Sequence, residues 1–347
     1  MTDPSAQTRM KALVVSRLLL GDIKDWKTFQ RERETAGKIT NRHAARSVSS
    51  QIGRTYRDLS AETRKFIANN FLACDDENLA RLCDSIEVGI GLYLRLDEFE
   101  TAFFSLADQV KRRVPFYAHV SISTYGLQFE YPEHHFICDL EAGFEGLKET
   151  RQRIRELPAS ETALKAKRDD VASLVGREKF ISRSMVSASF SLVEAFLSGL
   201  FFTAINRSTL GALRCDEALL RYAQNKESAP LKDRIDRIVK FASGGRSDSR
   251  SEPFKSFMDV GKRYRDAIHH TTPFERKDIE AGQRLLALYE IKPDVALLCT
   301  ILAFDSVLKI SNWLYGDEDS SAIAANCKEL LEKVMTYSVD EGFAEPS

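Results

Sequence analysis

Apolar residues spaced three and four apart dominate this chain and predict helix over most of its length. The clearest such stretches are Glu161 to Asn206, Cys215 to Asn225, Leu231 to Ala242, Pro253 to His270, Asp294 to Leu314 and Ala322 to Tyr337, with an earlier one at Glu141 to Leu157. Residues up to about Asp108 also read as several helices, with Asn78 to Leu106 the longest candidate region. Between Tyr117 and Cys138 the period drops to two. His119 to Thr124, a Tyr125-Gly126 turn and Leu127 to Tyr131 predict a β-hairpin or small sheet near 117–138. On such a strand His134 and His135 point to opposite faces, which argues against a metal site. Pro158 and Ser160 mark a break with an N-cap, so a boundary is expected there. The expected fold class is mainly α: a largely helical N-terminal region, 1–157, holding the hairpin, and a C-terminal helical bundle, 158–347.

Two of these helices carry charges where the pattern calls for none. Phe254, Phe257, Gly261, Tyr264 and Ile268 form one apolar stripe, and Arg265 falls at its edge. The same helix ends in Asp266, His269 and His270, followed by Thr271, Thr272 and Pro273. Asp266 is one turn before His270 and in position to hold its ring. On an ideal helix His270 points away from Arg265; the two converge if the last turn unwinds, which Pro273 favours by disfavouring α geometry at Thr272. His269, at i+4 from Arg265, is the alternative. A guanidinium forks onto phosphate oxygens and an imidazole exchanges protons near neutral pH, so this set suits metal-free cleavage of RNA. The structural alternative is an arginine that snorkels at the stripe's edge, with histidines that complement the helix C-terminus.

The second oddity is Glu194, the only charge between Ser184 and Asn206. A helix apolar nearly all round is buried, and a buried carboxylate needs a partner, for which Arg265 is the candidate. The competing expectation is that Glu194 faces water beside Ser187, Ser191 and Ser198, which share its face.

The segment Ser187 to Leu200 followed by Arg263 to His270 resembles the HEPN superfamily (higher eukaryotes and prokaryotes nucleotide-binding), over roughly Glu161 to Gly316. The resemblance implies a helical bundle whose Arg265, polar Asp266 and His270 match the RNase motif, with Glu194 at an acidic position of the first long helix. Arg263 with His269 also fits the loose pattern. It further implies a metal-independent endoribonuclease without a cofactor, in which the 2′-hydroxyl of RNA attacks the adjacent phosphorus, and a homodimer that joins two motifs in one cleft. In a bacterial setting it implies phage defence or a toxin role. The other reading is a catalytically inactive HEPN-like module for dimerisation or for nucleotide or RNA binding.

Composition narrows this little. The 347 residues are enough for two domains, and a net charge of −1 supplies no global field for nucleic acid. Leu231 to Arg265 is locally basic, with ten Lys or Arg against five acids: either an RNA-backbone footprint or a solvated face. Six scattered cysteines without a CxxC pair suggest reduced, mostly buried thiols. Ala12 to Leu20 is apolar but broken by Arg17 and lacks a cleavage site, so no signal peptide is expected. The apolar run around Glu194 has the length of a membrane span, but its carboxylate and serines argue for a core helix. No Walker loop, GxGxxG or HExxH occurs. The expectation is a cytoplasmic protein with RNA as partner and no membrane association. The N-terminal region, which has no recognisable chemistry, is a candidate for sensing a trigger or binding a regulatory partner.

Overall fold

The computed structural model describes residues 6–19, 22–23, 25–38, parts of 46–82, 94–102, 114–123, 126–157, 168–225, 229–269, 286–316 and 321–342. The chain is mainly helical with a small antiparallel sheet, and it divides into two compact units, Met1–Tyr131 and Pro132–Ser347.

In the first unit α1 (Ala6–Leu19) packs on α2 (Trp26–Gly37), and Leu13 and Val14 of the one and Phe29 of the other are buried. Asp25 caps α2 by accepting from the Thr28 amide at 2.8 Å, and the Thr28 hydrogen bonds hold its carboxyl below the usual value. The run Ala12 to Leu18 is thus core, apart from the half-buried Arg17, which reaches Glu32 at 2.6 Å. The hairpin forms as the alternation predicts, from β2 (His119–Ser123) and β3 (Gly126–Glu130). A third strand, β1 (Leu94–Arg95), joins its edge and leads into α3 (Leu96–Ala102), inside the 78–106 region expected to be helical.

The second unit starts earlier than the break at Pro158 suggests. Pro132 opens α4 (Pro132–Arg155), its fixed φ being suited to a first helical turn. His134 and His135 therefore lie on a helix and not on a strand. Among the described residues no three His, Cys, Asp or Glu side chains come together as a metal-binding group. Helix α4 lies along α5 (Arg168–Arg207), where Gly143 allows close approach: a Cβ there would meet Met185 at 2.7 Å. The helix expected to end the N-terminal region is thus part of the bundle. Residues 158–167, with the expected N-cap Ser160, lie outside the described set.

Helix α5 is the axis of this unit. It touches α4, α6 (Glu217–Gln224), α7 (Leu231–Ala242), α9 (Lys262–His269) and α10 (Pro293–Tyr315), while α11 (Ala322–Asp340) packs on α10 and α4. It is the one described helix long and apolar enough to cross a membrane, yet from Ile181 to Ala204 most of its residues are buried by neighbouring helices. Within this core Ser189 and Thr300 place their hydroxyls 3.3 Å apart, and each donates to its own helix backbone. The short hairpin β4 (Thr209–Leu210) and β5 (Leu213–Arg214) turns at Gly211. Its φ of +58° and the Leu314 carbonyl, 1.9 Å from where a Cβ would sit, admit only glycine.

The motif helix departs from the continuous pattern expected over 253–270. After α8 (Phe254–Ser256) the backbone makes a π-helical turn, Phe257–Gly261, before α9 begins. Phe190 of α5 packs against this turn. Its ring stacks on Phe257 with centroids 4.6 Å apart, and a Cβ on Gly261 would lie 2.4 Å from it. A π-turn takes up one residue more than an α-turn, so each later side chain is set back by about one position around the axis. The buried face of α9 therefore does not simply continue the stripe of Phe254 and Phe257, and Arg265 stays at its border, about one-third exposed. Beyond the turn Ala267 is the buried residue, with Tyr264 and Ile268 half-buried.

Candidate functional site

The site is built on the one side of α5 that its neighbours leave open. Arg177, Phe180, Ser184, Ser187, Ser191, Glu194 and Ser198 recur at steps of three and four and stay exposed or half-buried, while from Ile181 onward most positions between them are core. This line is polar for most of its length, and side chains from two other helices converge on it.

Arg265 comes from α9, and its Nη2 donates to Glu194 Oε1 at 3.0 Å. The pair expected from sequence is present, but not in the deep core: the two side chains are 35% and 33% exposed. Glu194 thus combines both expectations, having a partner and sharing the serine face. Asp266 lies on the same guanidinium, Oδ1 3.7 Å from Arg265 Nη1. His269 stands one turn after Arg265, with its Nε2 3.4 Å from Ser187 Oγ. His270 lies outside the described residues. Arg263 turns elsewhere, its Nη2 2.6 Å from Glu290. Of the two arginines that fit the motif, only Arg265 thus pairs with α5.

Arg234 of α7 is the residue that sequence reasoning passed over. Its Nη2 donates to Ser198 Oγ at 2.6 Å and to the Glu194 carbonyl at 3.1 Å. Its Nε is buried with no hydrogen-bond partner among the described residues, and burial pulls its pKa below the usual arginine value, against the opposing charge of Glu194. The signal was available. Ile235, Ile238, Val239 and Ala242 form the buried stripe of α7, and Arg234 borders it as Arg265 borders its own.

The basic stretch before the motif is largely committed within the chain. Lys240 pairs with Asp236 at 2.7 Å, Arg250 with Asp248 at 2.5 Å, and Arg246 donates to the Ser243 carbonyl at 2.8 Å. Asp236 also accepts from Ser249 N and Oγ, each at 3.2 Å, tying the 243–251 loop to α7. Burial acts to raise the Asp236 carboxyl, but the Lys240 and Ser249 bonds outweigh it and hold the pKa below its ordinary value. The local excess of basic residues is therefore a weaker footprint than its count suggests. Lys232, Lys255 and Lys262 are its exposed lysines besides the paired Lys240.

Among the described cysteines, Cys215, Cys299 and Cys327 are buried free thiols, and burial pushes Cys299 up to about 12. Cys138 is exposed, its Sγ 3.7 Å from His134 Nε2. Cys74 and Cys83 lie outside the described residues.

No protein-family model, curated protein or solved structure matches this chain.

Proposed function

We propose that this protein is a metal-independent endoribonuclease of HEPN type. The observation that carries the reading is the delivery of Arg265 to the polar line of α5, beside Glu194 and one turn from His269, with a third of its side chain still exposed. A half-exposed guanidinium flanked by carboxylates is oriented yet reachable by a phosphate.

In this reading the 2′-hydroxyl gives its proton to an imidazole as its oxygen bonds to phosphorus. The P–O5′ bond breaks, and the leaving oxygen takes a proton from an imidazolium. Arg265 stabilises the charge gathering on the phosphoryl oxygens. His270 holds the family position for proton transfer, and His269 orients the end of α9 through Ser187. Two protomers supply the base and the acid, so the active form is a homodimer through the C-terminal unit.

The test is incubation of the purified protein with RNA, with and without EDTA, followed by end-group analysis. Cleavage insensitive to EDTA, with 2′,3′-cyclic phosphate and 5′-hydroxyl ends, is the expected result; strict dependence on Mg²⁺ or Mn²⁺ rejects the mechanism. His270→Ala abolishes cleavage, and loss of activity from His269→Ala alone moves the motif register. A sedimenting monomer that still cuts RNA removes the shared cleft. The engagement of Arg265 by two carboxylates favours a second reading, an inactive binding or dimerisation module, and RNA left intact by pure dimer selects it.

A further inference from the structure

The polar line of α5 continues away from the motif into a groove of about 670 Å³ between α4 and α5. Ser187 and Ser191, which line the groove, belong to the same line as Glu194, and Ser187 is the residue that His269 approaches. The groove therefore opens directly beside the end of the motif helix. Two turns back from Ser187, about 10 Å along the axis, Phe180 lines it with a ring that is 64% exposed.

An aromatic face that open is poor core and good platform. Around it the walls are polar at the rim: Ser184, whose hydroxyl donates to the Phe180 carbonyl at 3.0 Å, keeps its oxygen as an acceptor, Ser187 adds a second hydroxyl, and Asp139 of α4 is an acceptor across from them. The volume is that of a small-ligand site. An aromatic platform with hydroxyl and carboxylate groups at its edge matches an unstacked nucleobase, whose flat face stacks and whose edge hydrogen-bonds.

We infer that this groove is a nucleobase subsite for single-stranded RNA: Phe180 lies about 21 Å along the helix from the Glu194 that holds Arg265, so a base a few nucleotides from the scissile phosphate stacks on Phe180 while its edge meets Ser184 and Asp139. The inference rests on the nuclease reading for the position of the scissile phosphate, and it names the form of RNA that the site takes. A duplex keeps its bases stacked on one another and cannot supply one to Phe180.

The test uses the full-length protein and a fluorescein-labelled 2′-fluoro oligoribonucleotide, which lacks the attacking hydroxyl and cannot be cut. Anisotropy is expected to show single-strand binding that Phe180→Ala weakens about tenfold or more and Phe180→Trp preserves. The duplex of the same sequence is expected to bind more weakly and to ignore both substitutions. In the cleavage assay Phe180→Ala raises KM with kcat unchanged. Wild-type binding by Phe180→Ala overturns the subsite, as does a fall in kcat alone. So does a loss of binding that sedimentation traces to dissociation of two copies, which would make the groove an interface. Binding that depends on Phe180 without any cleavage keeps the subsite and rejects the nuclease; cleavage indifferent to Phe180 does the reverse.

Discussion

Helices α7 and α9 each bring one arginine to the same side of α5, and the two arginines end in different chemical states. Arg234 donates to a backbone carbonyl and a serine hydroxyl, with its Nε buried and unpaired. Its hydrogen bonds go to neutral acceptors, and the nearby charge of Glu194 only partly offsets its burial, so it serves to tie α7 to α5. Arg265 meets two carboxylates and keeps a third of its side chain in solvent. Its charge is balanced at rest and open to exchange for a phosphate. Both arginines border apolar stripes, and acceptor type and remaining exposure separate the one committed to packing from the one that the nuclease reading makes functional.

The largest expected effect comes from removing the functional member. Arg265→Ala is expected to lower kcat for RNA cleavage by roughly 10²-fold or more while costing no more stability than the loss of one part-exposed pair, about 1 kcal/mol, because water reaches Glu194 in its place. Equal losses of activity and stability would erase the distinction. Arg234→Ala should behave oppositely. It destabilises by about 2 kcal/mol through loss of two hydrogen bonds from a charged donor, measured by urea titration. Arg234→Met, which keeps the stem's packing, separates the hydrogen bonds from the apolar contacts.

The π-turn offers a way to disturb Arg265 without touching it. Gly261→Ala places a methyl against the Phe190 ring and is expected to cost about 1 to 3 kcal/mol by overpacking. It should also reduce cleavage by rotating Arg265 away from Glu194. The double variant Gly261→Ala with Phe190→Leu relieves the clash and recovers stability; recovery absent from that variant places the strain elsewhere.

Glu194→Ala is a smaller perturbation. A pair one-third exposed is expected to contribute about 1 kcal/mol, well below the several kcal/mol of a deeply buried ion pair, and its loss lowers activity by loosening Arg265. A change in melting temperature indistinguishable from zero would show that the pair orients without stabilising.

The smallest effect is the pH response of the loop before the motif. Asp236 has a lowered folded pKa, so its contribution is complete above the unfolded value near 3.9 and is lost as pH falls through the folded one. Asp236→Asn is expected to cost no more than about 1 kcal/mol at neutral pH and to flatten the acid limb of the stability curve below about pH 4. Hydrogen exchange at Ser249, whose amide donates to Asp236, reports the same event locally.

Much of this architecture was legible in the chain. The three-and-four spacing located α7 at its observed bounds, Leu231–Ala242, and α10 and α11 nearly so, and the period-two alternation located the hairpin, because periodicity records which face each element buries. The Arg265 and Glu194 partnership was legible for a related reason: a charge inside an apolar pattern has to be met by another group. Helix α4 was misjudged in its start and its unit, since a strand-like run ending at Tyr131 gives no warning of the helix that Pro132 opens.

Local pattern determined which residues are helical, which faces are apolar and which charges stand out against them. Tertiary structure decided everything that depends on a second helix. Position 261 has room only for glycine because Phe190 of another helix lies against it. Arg234 matters because α7 lies against Ser198. The Phe180 groove exists because α4, which Gly143 lets approach closely, leaves one line of α5 uncovered. Spacing along one chain encodes the direction of a side chain on its own axis, whereas the distance between two axes is set by packing and has no signature in either segment alone.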